Sequence, residues 1–302
     1  QVMMRFIRQK YNLNFGVMVQ PQQSKYIQDY QGVHVDTVRN VVNVSPTLDF
    51  RYRFSKMSNL RINYRGTTSQ PSISQLLDIT DNSDPLNISM GNPGLKPSFT
   101  QNFRLFYNNF VQNHNKGIMT FVNFSTTNNS ISNKVTYDET TGGRITRPEN
   151  INGNWNAMGA FMFNCSIDSA GVWNINTGAH ANYNNYVSYL SLDKKSDSQK
   201  NTTRSITWRQ NLSFSYRNDW AEFSLDGTLT YNKAKNKLQP TSNLETWQFS
   251  YGPSMTLTAP WGTSLNSSLS INSRRGYNDS SMNTDEFVWN AQLSQGFLKG
   301  KP

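Results

Sequence analysis

Proton-transfer chemistry in this chain would have to run through His34, His114 and His180, the only three histidines, because imidazole is the side chain that titrates near neutral pH without a special environment. A hydrolytic site needs one of them within hydrogen-bond reach of a nucleophile or carboxylate. The one pairing that polar strand faces allow is His180 with Asp226, two strands apart in order. Asp78, Asp81 and Asp84 recur every third residue and could touch Ca²⁺, yet they lack the glycine and closing glutamate of a calcium loop. Gly142-Gly143 has no strand and helix around it to cradle a phosphate, and reads as a turn. Cys165, the single cysteine, excludes an internal disulfide and a multi-thiolate metal site. It shares the apolar side of its strand with Phe163 and Ile167. These residues predict neither an enzyme nor a metal or cofactor site.

Charge is the stronger signal. The chain has 29 Lys and Arg against 19 Asp and Glu, a net charge of +10. A basic balance invites nucleic acid, but the arginines cluster neither in a helix nor in a groove interleaved with aromatics, so no nucleic-acid partner is expected. Arg51, Arg53, Arg61, Arg65, Arg104, Arg209 and Arg217 instead fall on the polar faces of separate strands, which a barrel would turn into one lumen.

Those strands are read from alternation. In Leu48 to Ser55 the even residues are apolar and the odd ones charged or polar, so one face is greasy and the other wet. The same pattern runs through Leu13/Phe15/Val17/Val19, Leu60/Ile62/Tyr64, Trp173/Ile175/Ala179/Ala181/Tyr183, Ile206/Trp208/Leu212/Phe214/Tyr216 and Phe223/Leu225/Leu229/Tyr231. It breaks at Phe106, and at Ser267 and Ser273, which fall on an otherwise apolar side. Mean hydropathy is −0.67 with 35% hydrophobic and 13% aromatic residues, which suits a barrel whose every second residue is wet better than a large dry core. No run of about 18 apolar residues encodes a transmembrane helix. Gln1 opens inside a strand, with no signal peptide, so truncation is expected.

Tight turns are expected at Arg8-Gln9-Lys10, Ser58-Asn59, Asn115-Lys116-Gly117, Asp168 to Gly171, Asn218-Asp219, Pro260-Trp261-Gly262 and Leu298-Lys299-Gly300. Long polar loops alternate with them: Ile27 to Asn40, Pro71 to Lys96, Asn128 to Asn152, Ser191 to Lys200, Lys233 to Asn243 and Gly276 to Thr284. Short turns at one end and long loops at the other are the outer-membrane pattern, periplasmic and extracellular respectively. The count is about thirteen strands. Trp155, Trp208, Trp247 and Trp289 lie ten to sixteen residues before a tight turn and Trp173 lies at one, as two interfacial aromatic bands would require. The expected fold is all-β: an antiparallel transmembrane β-barrel, in one domain truncated at both ends.

The run Pro71-Ser72-Ile73-Ser74-Gln75-Leu76, followed by Asp84-Pro85-Leu86 and Gly91-Asn92-Pro93-Gly94-Leu95-Lys96-Pro97, resembles a stretch of TonB-dependent receptor barrels. From Tyr11 onward the chain is similar to Bacteroidetes-type outer membrane β-barrel proteins. The resemblance implies a Gram-negative outer-membrane receptor for nutrient uptake, with lipid around it. Its parent would carry an N-terminal plug, TonB-type energy coupling and a small-molecule or oligomeric ligand; a surface lipoprotein is an open further partner. Plug and coupling box are absent from this sequence. In the motif segment, Pro71, Leu76, Gly91, Asn92, Pro93, Leu95, Lys96 and Pro97 read as a structural cap, since prolines fix φ and glycines permit turns. Two alternatives stay open: a plug-less porin-like or structural barrel, and a soluble extracellular β-sandwich adhesin.

Overall fold

The computed structural model describes residues 1–30, 33–77, 80–81, 83–192 and 195–296. Asp78, Phe297 and the expected turn Leu298-Lys299-Gly300 lie outside them. Thirteen strands form one antiparallel sheet, with hydrogen-bonded neighbours following chain order. They are β1 (Val2–Ile7), β2 (Tyr11–Tyr30), β3 (Val33–Ser55), β4 (Ser58–Ser69), β7 (Ser98–Val111), β8 (Lys116–Asn128) and β11 (Asn154–Ser166). The sheet continues with β12 (Trp173–Leu190), β13 (Gln199–Arg217), β14 (Ala221–Asn236), β15 (Leu244–Thr258), β16 (Thr263–Arg275) and β17 (Asp285–Gln295). Between β4 and β11 the connections hold β5 (Thr80–Asp81), β6 (Asn87–Met90), β9 (Ser130–Tyr137), β10 (Arg144–Ile151) and a one-turn helix α1 (Ile73–Leu76). Among the described residues β1 and β17 pair on one side only, so the sheet is not closed.

The register carries the alternation across strands. Phe50 faces Ile62, and Ile62 faces Leu105, while Asp49 faces Asn63, and Asn63 faces Arg104. Across these strands one face is therefore apolar and the other polar. A β-sandwich would bury the apolar face against a second sheet. Here that face stays open: Leu212, Leu225 and Phe161 are all exposed, and the buried apolar side chains among the described residues are Leu95, Ile151, Val187 and Ala221. An uncovered apolar face of this extent needs lipid, and the sandwich alternative falls.

Stagger identifies the sheet as barrel wall. One cross-strand row runs Ile7, Asn12, Arg51, Arg61, Phe106, Phe121, Ala160, His180, Arg209, Thr230, Gln248, Arg274. Ile7 is one residue from its tight turn and Arg274 is twelve from Gly262, a drift of about one residue per strand. With about 3.3 Å along and 4.8 Å across, the strands tilt by about 35°, the value barrel closure requires.

Some expected boundaries shift. The turn placed at Ser58-Asn59 sits at Lys56-Met57: Ser55 pairs directly with Ser58 after a bulge at Arg53/Ser55, and Phe110 N–H holds Met57 O at 3.1 Å. The turn placed at Asn115 to Gly117 lies at Gln112 to Asn115, where His114 and Asn115 take φ of 59° and 45°. Where a loop is expected from Ile27 to Asn40, the described residues up to Tyr30 and from Val33 are strand. β2 and β3 stay paired from Tyr11/Tyr52 out to Tyr30/Val33, because β-branched Thr37, Val38, Val41 and Val42 favour extended chain. Cross-strand Lys25–Asp36 at 3.2 Å and His34–Asp29 at 2.5 Å fasten the tip.

Pro71 to Lys96 and Asn128 to Asn152, expected as long polar loops, hold secondary structure of their own among the described residues. They fold together into a four-stranded sheet, β5-β6-β10-β9, in which β6 runs parallel to β10. The capping box on α1, Gln75 N–H to Ser72 Oγ at 3.3 Å and Ser72 N–H to Gln75 Oε1 at 3.0 Å, was written in Ser72-x-x-Gln75. A third connection joins this cap: Val135 N–H donates to Ser198 Oγ at 2.8 Å and Tyr137 N–H to Asp197 Oδ1 at 2.7 Å. The cap stands at the end opposite the tight turns.

At that tight-turn end, Asp168 accepts the N–H groups of Trp173 at 2.7 Å and Val172 at 3.1 Å. The Trp173 bond leads in holding this carboxyl below its ordinary value of 3.8. A depressed folded pKa means the contribution is fully present above 3.8 and is lost as pH falls through the lower folded value. Asp168→Ala should therefore speed amide exchange at Val172 and Trp173 near neutral pH. The difference from wild type should shrink below pH 3.8; a difference that persists in acid would refute the capping role.

Candidate binding face

All seven arginines expected on wet faces lie on the polar face of the sheet, but they do not form one group. Arg51, Arg53, Arg61, Arg65 and Arg104 occupy β3, β4 and β7, and the register adds Arg5 of β1, opposite Asn14. Arg5, Arg51, Arg61, Arg65 and Arg104 line one hollow of about 720 Å³ with Asp49, Asn14, Asn63 and Asn102. Arg53 lines a second, of about 450 Å³, toward the tight-turn end with Arg8 and Lys10. Arg209 stands opposite His180 and Thr230 on β13, five strands and about 24 Å from Arg61. Arg217 closes a turn against Glu222 at 2.6 Å.

Asp49 organises the cluster. Its Oδ1 accepts from Arg51 Nε at 3.2 Å, and its Oδ2 accepts from Arg61 Nη2 at 2.9 Å and Nε at 3.2 Å, and from Asn63 Nδ2. Among the described residues no carboxylate pairs with Arg5, Arg53, Arg65 or Arg104. Asparagine carbonyl oxygens on the same face, Asn14, Asn108 and Asn123, find no donor among the described residues. The hollow is thus rich in free cationic donors.

Sequence reasoning missed Arg5 because Met3 and Ile7 share its face, which hides the alternation of β1. Asp49 was visible as a polar-face residue, but its central place needed the register. Phe106, out of phase in sequence, lies on the polar face opposite Phe121. With Met119, Met158 and Met162 on the same face, it makes an apolar strip across β7, β8 and β11 that divides the basic cluster from His180 and Arg209. Ser267 and Ser273 do sit on the apolar face, and each is satisfied there. Ser267 Oγ accepts Trp289 Nε1–H at 3.0 Å, and Ser273 donates to Asp285 at 2.6 Å.

The candidate catalytic pair is not assembled. Asp226 lies opposite Ser213, four residues along β13 from Arg209, the partner of His180. Asp81 binds Ser83, and Asp84 caps Leu86 N–H at 3.0 Å and Asn87 Nδ2 at 2.8 Å. Among the described residues no three His, Cys, Asp or Glu side chains could hold a metal ion.

On the apolar face, Trp155, Trp173, Trp208, Trp247 and Trp289 all point to the lipid side. Tyr64, Phe103, Phe124, Trp155 and Tyr183 make a continuous run of ring contacts with centroids 4.7 to 6.2 Å apart. Tyr231 and Trp247 continue it at 4.3 Å. A second run, Phe214, Trp173, Tyr216 and Phe223, sits beside the tight turns. Tyr183 and Trp173 are ten residues apart, which at the observed tilt projects to about 27 Å, the height of a barrel's apolar band.

The motif segment builds the base of the cap. Gly91 packs on α1 so closely that a Cβ there would meet Leu77 O at 1.6 Å. Asn92 N–H reaches Gln75 O at 2.6 Å, and its side chain binds Pro148 O at 2.8 Å and Gly94 N–H at 3.0 Å. Leu95 is buried, Lys96 exchanges two hydrogen bonds with Asn150, Pro97 O receives Asn129 Nδ2 and Pro71 O receives Arg39. Pro93 is exposed at the turn and Leu76 ends α1, half-buried.

No curated protein matches the chain. A family described as the outer membrane protein beta-barrel family matches residues 7–223, more than half of it. The tilted sheet, its wet inner face, its two aromatic bands and that match lead to one conclusion: the chain belongs to the outer membrane protein β-barrel family and resides in the Gram-negative outer membrane.

Proposed function

We propose that this chain is the wall of a TonB-dependent receptor that imports an anionic nutrient, and that its basic hollow faces an acidic plug surface and the ligand's path. The supporting observation is the imbalance of charge on one wall: Arg5, Arg51, Arg61, Arg65 and Arg104 line a hollow whose single carboxylate is Asp49, and Arg53 lines the adjoining one. Fixed cations on a low-dielectric wall concentrate anions and select among them. The resemblance of the Pro71 to Pro97 cap to receptor barrels supports energy-coupled uptake over a passive pore.

The full-length protein in a planar bilayer with KCl tests this. A plugged receptor conducts nothing until its plug is displaced, and then passes chloride over potassium. Arg65→Gln with Arg104→Gln should lower that preference roughly two- to five-fold. Steady conductance from the intact protein would instead make it a passive channel, and an unchanged selectivity in the variant would remove the arginines from the path.

A further inference from the structure

The lipid-facing side of β12 to β15 changes character just beyond its outer aromatic band. Trp208, Tyr231 and Trp247 share one cross-strand row, the next row outward on the same face is Tyr183, Ile206, Lys233, Glu245, and the next is Asn185, Arg204, Lys235. Lys237 follows one residue past the end of β14, its N–H on Thr202 O at 3.1 Å. Parity is the decisive point: the alternation that turns Trp208 and Tyr231 toward lipid also turns Arg204, Lys233 and Lys235 outward, where headgroups begin.

Neutralisation of this group is incomplete. Glu245 takes Lys233 at 2.6 Å and the Tyr231 hydroxyl at 2.8 Å. Nearby Arg275 is taken by Asp285, both nitrogen–oxygen distances being 2.7 Å. Arg204 reaches only the Asn185 amide oxygen, at 3.2 Å, and among the described residues Arg204, Lys235 and Lys237 have no carboxylate in ion-pair contact; Glu245, already held by Lys233, attracts Lys235 from farther off. Arg204 and Lys235 nonetheless stand directly opposite each other, an arrangement that destabilises an antiparallel pair. The bland alternative is a solvated charge run with side chains splayed into water. It leaves Arg204 with no carboxylate and Lys235 with only a share of Glu245, which Lys233 already engages at 2.6 Å. An anion between the two side chains turns the same repulsion into a bridge, with the guanidinium offering a fork and the ammonium a point charge.

We infer that Arg204 and Lys235, flanked by Lys233 and Lys237, form a binding site for the phosphate group of an anionic glycolipid in the outer leaflet. Continuity with the lipid-facing aromatics points to a membrane lipid as the source, and a basic cluster at that depth is how proteins hold anionic headgroups. The site is independent of uptake and of the inner basic hollow.

The test uses the full-length protein made in a Gram-negative host, extracted in mild detergent, and analysed by mass spectrometry for retained lipid A. Wild type should keep it. Arg204→Gln with Lys235→Gln should lose about ten-fold or more of the bound lipid, with heat-modifiable migration unchanged. Lys235→Glu is the second variant, since it gives Arg204 an opposite-charge partner and so folds without the lipid. Added diphosphorylated lipid A should raise the unfolding temperature of wild type and of neither variant. Equal retention in all three proteins would overturn the site. A wild-type shift that inorganic phosphate alone reproduces would also overturn it, by making this a free-anion site.

Discussion

Asp49→Asn should lower the stability of the barrel wall by about 2 kcal/mol, the size of a lost charged hydrogen-bond set, and the loss should be recovered in high salt. Asp49 is the one negative charge in the hollow, and it holds Arg51 at 3.2 Å and Arg61 at 2.9 Å. Asparagine keeps the shape and one acceptor, so it removes charge without opening a cavity. What remains is a group of arginines on adjacent strands, repelling one another beside low-dielectric lipid. Screening within a Debye length of about 3 Å at 1 M salt replaces the missing carboxylate. The measurement is the temperature at which the folded, fast-migrating form disappears on a gel, at low and at high ionic strength. A variant as stable as wild type at low salt would show that water already neutralises the cluster.

Gly91→Val should open the outer cap while leaving the wall intact. The new Cβ would lie 1.6 Å from Leu77 O and 3.2 Å from Gln75 O. The first is a carbonyl of the backbone and cannot rotate away. Chain displacement there breaks the Asn92 N–H to Gln75 O bond of 2.6 Å and the Asn92 tie to Pro148, at a cost of order 3 kcal/mol to cap closure. Protease should then cut within residues 130–150, and heat-modifiable migration should persist. Gly94→Ala is the internal control, because its Cβ would meet only the Asn92 side chain at 3.2 Å. Equal protection of Gly91→Val and wild type would mean that the cap does not depend on this contact.

These two sites also mark what the sequence makes legible. Alternation is a local property, so Leu48 to Ser55 and Ile206 to Arg217 disclose their faces, and the strand count with them. Lateral position is not local. That Arg5, Arg61 and Arg104 meet around Asp49, while Arg209 sits across a Phe106/Phe121 strip, depends on a register that no single strand contains. The cap was hidden for the same reason. β6 pairs in parallel with β10 across more than fifty residues, and its four residues, Asn87 to Met90, are too few for a period to show. The Ser72-Gln75 box and Gly91 were visible, and they are the parts of the cap whose partners lie nearby in the chain.

The cap's stitching has a kinetic consequence. Wall strands join neighbours through hairpins, so most of the sheet can zip by short loop closures. The cap instead waits on Asn92 meeting Pro148 across β7 and β8, and on Val135 meeting Ser198 across β11 and β12, so each encounter is helped by the intervening wall strands being paired first. Since closure slows as the sequence separation of contacts grows, the outer rim should be the last part to mature. A time course of membrane insertion should pass through a species that already migrates as folded yet is still cut in the segments that later form β9 and β10.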